Sequence, residues 1–195
     1  MSSKTFVVGL MILLFLLVNY EYTIAAGPWR GKVIDAETKE PIEGAVVLAV
    51  WHRNYRTPAG DNAYFYEAKE VLTNKEGRFE IPSYIPINLL PLISYIEGPF
   101  FTIFKPGHGS LPMGLWNYFT GAVVEPKEME LYGKRYRLAT GLVEVPPLKT
   151  REERLRLLLI PPSIPDDKMS KLIESINKEA ISLGLQPTHS KGDSK

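Results

Sequence analysis

The sequence predicts a mainly β domain, an antiparallel β-sandwich of about seven strands, preceded by an apolar N-terminal helix and followed by two α-helices. Three observations carry this reading. Short segments alternate apolar and polar residues with period two, as in "WRGKVID" and "GRFEI", the mark of half-buried strands. Turn residues separate them, as in "TNKEGR". After Thr150 the apolar period changes to that of a helix.

The N-terminus comes first. "MSSK" supplies positive charge, and Phe6 to Val18, "FVVGLMILLFLLV", is an unbroken apolar run. That run is shorter than the ~20 residues a spanning helix needs. Small residues follow in "TIAAG", where Thr23 and Ala25 fit a small-x-small cleavage site. Residues 1–26 therefore read as a secretory signal, with an uncleaved anchor as the alternative. Both place the rest of the chain outside the cytoplasm. The chain has no cysteine, which favours a bacterial periplasm over the disulfide-rich small domains of eukaryotic secretion. An uncleaved run would anchor the chain in the inner membrane, as its one membrane contact. Three further segments follow: a β domain over 27–148, a helical extension over 149–187 that packs on it, and a polar tail over 188–195.

Within the β domain, "WRGKVID" is the first strand and "AETKEPIEG" its connection. Pro41 stiffens the connection, and Gly44 can take a positive φ before the next strand. "AVVLAVW", Ala45 to Trp51, is apolar at every position. "EVLTNKEGRFEIP" reads as a hairpin with Asn74 opening the turn and Gly77 closing it. "SYIPINLLPLISYIEGP" is an apolar excursion broken by Pro86, Pro91 and Pro99. "FFTIF" is a further strand, "SLPMGLWNYFTG" a second aromatic excursion, and "EMELYG", "RYRLA" and "GLVEVP" supply the closing strands. In the extension, Thr150 and Glu153 form a capping-box pattern. A second helix starts at "PDDK" with Asp166 or Asp167 as cap, and carries Met169, Leu172, Ile173, Ile176, Ala180 and Leu183 at helical spacing.

A sandwich strand has one dry and one wet face. With Ala45, Val47 and Ala49 in the core, Val46, Leu48 and Val50 need a cover. The helix from Met169 to Leu183 is the expected one, and a partner protein the rival.

Taken in order, Gly31, Val33, Asp35, Thr38, Pro41, Gly44, Ala45, Val47, Thr73, Gly77, Phe79, Ile81, Pro106 and Gly107 form a recognisable set. They resemble the carboxypeptidase regulatory-like domain, an Ig/transthyretin-like (prealbumin-like) β-sandwich. The likeness covers Trp29 to about Gly107 well and extends loosely to Val145. It departs at His108, where the family usually has an aromatic residue. In metallocarboxypeptidases this domain sits beside the catalytic domain, so the resemblance implies a non-catalytic appendage.

Motifs for chemistry are missing from the sequence. His52, His108 and His189 lack zinc-binding spacing, with Tyr55 and Leu111 at the third position after the first two. The tail lacks the Tyr-Arg-Gly-Ser of the related 5-hydroxyisourate hydrolases. Asp35, Glu37, Glu40 and Glu43 make a poor calcium ladder. No cofactor or metal is expected. A net charge of +1 with evenly mixed signs gives no nucleic-acid footprint.

Aromatic residues are the remaining recognition material. Trp51, Tyr55, Tyr64 and Tyr66 flank the loop "HRNYRTPAGDNAYFY", and Trp116 and Tyr118 lie in the second excursion. They are candidate ligand-binding residues, with core filling as the competing role. The sequence thus points to an exported, non-catalytic binding or structural module for a protein or an envelope glycan. A carbohydrate-binding module is the first alternative, and a hydrolase on a transthyretin-like fold the second.

Overall fold

A computed structural model describes residues 27–112, 116–158 and 160–187, together with positions 9 and 11; of 112, 116 and 117 it describes the backbone. Apart from positions 9 and 11, the expected signal over 1–26 lies outside the described residues, as do the tail over 188–195, His189 and the Trp116 side chain. No helix among the described residues is long and apolar enough to cross a membrane.

The described chain is mainly β, with two sheets and two C-terminal helices. Nine strands are described, against about seven expected: β1 Trp29–Asp35, β2 Val46–Thr57, β3 Gly60–Leu72, β4 Arg78–Ile81, β5 Ser94–Phe104, β6 Leu111–Pro112, β7 Lys127–Leu131, β8 Lys134–Ala139 and β9 Leu142–Val145. The helices are a short α1 Trp116–Phe119, then α2 Arg151–Leu155 and α3 Ser170–Ser182. One sheet runs β4-β1-β9-β8-β7 and the other β3-β2-β5-β6. The pairing is antiparallel except between β1 and β9, which run parallel with Lys32 opposite Leu142. That pair departs from the all-antiparallel expectation. The two strands are far apart in sequence, so nothing local imposes the hairpin sense.

The alternation from Ala45 into β2 sorts the side chains between two cores. Ala45, Val47, Ala49 and Trp51 join a buried cluster that draws on both sheets, with Trp29, Phe101, Ile103, Leu138 and Val143. Val46, Leu48 and Val50 join a second cluster with Ile164, Met169, Leu172 and Ile176. The outer face of β2 is thus covered by α3 and the turn before it.

The resemblance residues have structural work. Gly31 lies under the Phe79 and Phe119 rings; a Cβ there would come within 2.7 Å of Phe79 and 2.9 Å of Phe119. Gly77 has φ +71°, and a Cβ would strike the Val33 carbonyl. Buried Thr73 donates its hydroxyl to the Ile42 carbonyl at 2.6 Å and accepts the Ala45 N–H at 2.8 Å. Asp35 Oδ1 accepts the Glu37 and Thr38 N–H groups at 2.7 and 2.9 Å, closing the first turn.

The helical extension is tied down by charge as well as by apolar contact. The Thr150–Glu153 capping box is present in both directions. Arg154 makes a two-pronged pair with buried Glu179, at 2.6 and 2.7 Å, and Glu179 also accepts the Gly107 N–H at 3.2 Å. Asp166 and Asp167 do not cap α3 but open a 3-10 turn before it. Instead Glu70 of β3 accepts the N–H groups of Lys171 at 2.7 Å and Leu172 at 3.1 Å, and the Ser170 hydroxyl at 3.0 Å. A strand carboxylate therefore meets the positive end of the helix.

Candidate functional site: an apolar loop on a long hairpin

The stretch read as an aromatic loop, "HRNYRTPAGDNAYFY", is paired strand. β2 and β3 stay paired from Val46 opposite Leu72 out to Thr57 opposite Gly60, with a bulge between Trp51 and His52 that shifts the register by one residue. The hairpin places the candidate aromatics differently from one another. Trp51 is 1% exposed, edge-on to Trp29 at 5.5 Å and to Tyr84 at 5.0 Å. Tyr118 is half-buried against the same core. Tyr55 and Tyr64 meet edge to face at 5.7 Å further out along the hairpin, with Tyr64 exposed. Tyr66 is half-buried and serves as a post for the next segment. These candidates do not converge on one concave site.

The segment that Tyr66 supports is the first apolar excursion. Pro82 ends β4, and residues 82–93 run as a loop into β5. The Tyr66 hydroxyl donates to the Ile87 carbonyl at 3.0 Å and accepts the Ile87 N–H at 3.2 Å. Asn88 Oδ1 accepts the Leu90 N–H at 3.2 Å, and its amide donates to the Ser94 carbonyl at 2.7 Å. The Leu90 carbonyl accepts the N–H groups of Ile93 and Ser94 at 3.2 and 2.9 Å, and the Ile93 carbonyl accepts the Arg56 N–H at 2.9 Å. The backbone is thus pinned at both ends and in the middle.

Beyond Tyr84, which packs on the core, the aliphatic side chains of that loop face solvent. Ile85, Ile87, Leu89, Leu90, Leu92 and Ile93 are all exposed, Leu89 by 82% and Leu92 by 89%. Scattered exposed aliphatics are ordinary, whereas here six stand in one pinned loop. Removing each such side chain from water gains roughly 1.5–3 kcal/mol. Three tyrosines ring the loop, each under a cation: Arg53 over Tyr66 at 4.8 Å, Arg56 over Tyr95 at 5.4 Å and Lys69 over Tyr84 at 4.6 Å. Burial, then the hydrogen bond with Tyr66, pushes the Tyr84 phenol up to about 12.

Two charged clusters lie elsewhere. His108 Nε2 meets Asp35 Oδ2 at 3.1 Å, a pairing of residues that the sequence offered only separately. Burial pushes the Asp35 carboxyl up, but the Thr38 and Glu37 N–H groups and His108 outweigh it and hold the carboxyl below its usual value. A cleft of about 660 Å³ is lined by Lys39, Lys134, Arg135, Arg137 and Glu144 among others. Its cations are largely matched within the fold: Lys39 and Arg137 pair with Glu144 at 2.6 and 3.3 Å, and Lys134 with Glu153 at 2.8 Å. Among the described residues, no group of three or more His, Asp or Glu could hold a metal ion.

No protein-family model, curated protein or solved structure matches the chain.

Proposed function

We propose that this chain is an exported, non-catalytic contact module: a transthyretin-like β-sandwich of the carboxypeptidase regulatory-like type that docks through the loop at residues 85–93. The observation that carries the reading is that loop, whose exposed aliphatic side chains stand on a backbone fixed by internal hydrogen bonds. The core shared by the two sheets supports the sandwich, and the structural roles of Gly31, Asp35, Thr73 and Gly77 support the family resemblance. The carbohydrate alternative has less support, because Trp51 offers no ring face to solvent.

The test uses the absence of native cysteine. Single variants Leu92→Cys and Lys75→Cys are made in the full chain, and maleimide labelling is followed in the envelope fraction of the producing cells. Labelling at Leu92→Cys is expected to be much slower than at Lys75→Cys, and denaturant should equalise the two. Equal rates before denaturation would show the loop uncovered and defeat the proposal.

A further inference from the structure

We infer that the occupant of the 85–93 loop is the interfacial layer of a lipid bilayer carrying anionic headgroups, an inference that rests on the loop being the contact surface. Four features separate a bilayer from a protein partner.

The first is charge. From Pro82 to Ile96 the chain has no acidic or basic residue, so no charged group on the loop opposes transfer out of water.

The second is the backbone. Polar backbone groups entering an apolar layer need partners within the protein. Pro86 and Pro91 have no N–H, and those of Ile87, Leu90 and Ile93 are bonded internally.

The third is the rim. Protein hot spots favour Trp, Tyr and Arg at their centre. Here the centre is Ile and Leu, while tyrosines and cations form the ring. That order suits a membrane, with aliphatics innermost, amphipathic rings at headgroup level and cations toward phosphate. Each nearby carboxylate has a partner within the fold: Asp61 accepts the hydroxyl of the rim's own Tyr95 at 2.9 Å, Glu97 accepts from the Asn54 amide at 3.1 Å and Glu67 pairs with Lys168 at 2.9 Å.

The fourth is direction. Trp29 opens β1 directly opposite Ile81, the last residue of β4. The chain therefore enters the described fold at the end from which the loop departs. The apolar run at Phe6 to Val18 precedes that point in sequence. The loop and the point of chain entry thus share one end of the fold. The Asn74–Gly77 turn, at the other end of β4, lies away from it.

The experiment places an environment-sensitive fluorophore through Leu92→Cys, and separately through Lys75→Cys, in the full chain reconstituted into phosphatidylglycerol/phosphatidylethanolamine vesicles. Both side chains are exposed, so neither change disturbs packing. The expected result is blue-shifted emission at Leu92→Cys, quenched by nitroxide-labelled lipid, with water-like emission at Lys75→Cys. Replacing phosphatidylglycerol by phosphatidylcholine should reduce the quenching. Water-like emission at both positions overturns the lipid inference. If Leu92→Cys is then still protected in cell envelopes, a protein is the occupant and the contact module stands. If it is unprotected there as well, both readings fall.

Discussion

Two apolar surfaces of this molecule are treated in opposite ways. On the outer face of β2, Val46, Leu48 and Val50 are buried beneath Met169, Leu172 and Ile176. On the 85–93 loop, Leu89 and Leu92 stand almost fully exposed. Local order does not explain the difference, because each surface is held by specific hydrogen bonds: Glu70 to the start of α3, Tyr66 and Asn88 to the loop. The chain supplies a cover for one surface and a rigid mount for the other. It is this mounted, uncovered surface on which the proposed contact rests.

The sharpest way to break the contrast is at the cover. Leu172→Ala removes a side chain that is 1% exposed and should cost about 2–5 kcal/mol, read as a lower denaturant midpoint with unchanged slope. A change near zero would mean that α3 merely rests on the sheet. Glu70→Ala takes away the carboxylate that meets the helix start and should cost about 0.5–2 kcal/mol. Helicity measured by circular dichroism should fall with it.

The Asp35 turn offers a test against pH. Its carboxyl is held below the ordinary value, so the native state favours the ionised form. The stability this contributes is complete above about pH 4 and is lost as pH falls through the lower folded value. Wild type should therefore lose more of its melting temperature than Asp35→Asn on acidification below that point. Parallel losses would exclude the linkage.

The smallest effect belongs to the loop. Leu89→Asp with Leu92→Asp should change stability by no more than about 0.5 kcal/mol, because neither side chain is packed. A loss as large as that of Leu172→Ala would make the loop part of a core and erase the comparison.

What could be read from the sequence was local. The alternation of β1 and β4, the Asn74–Gly77 turn, the Thr150–Glu153 capping box and the apolar stripe of α3 all lie within a few residues of their causes. The need for a cover over Val46, Leu48 and Val50 was also legible, from a strand apolar on both faces. The cap of α3 was not, since Glu70 lies 101 positions before Lys171. The polar, aromatic composition of the outer hairpin concealed its strand character, and cross-strand pairing decided it. The aromatics were visible as residue types, but which of them fill the core depends on the bulge and on the partner sheet. The loop was legible as apolar and irregular. Its exposure was not, because apolar composition alone says nothing about which way side chains turn.

The parallel pairing of β1 with β9 sets an order of assembly. β1 lies between β4 and β9, and its second neighbour comes roughly a hundred residues later in the chain, a costly loop to close. The sheet therefore stays incomplete until the chain has been made through Val145. A chain built this way folds after its length is available rather than as it emerges. Refolding followed by the buried Trp29 and Trp51 should fall in the millisecond-to-second range, and microsecond refolding would contradict that order.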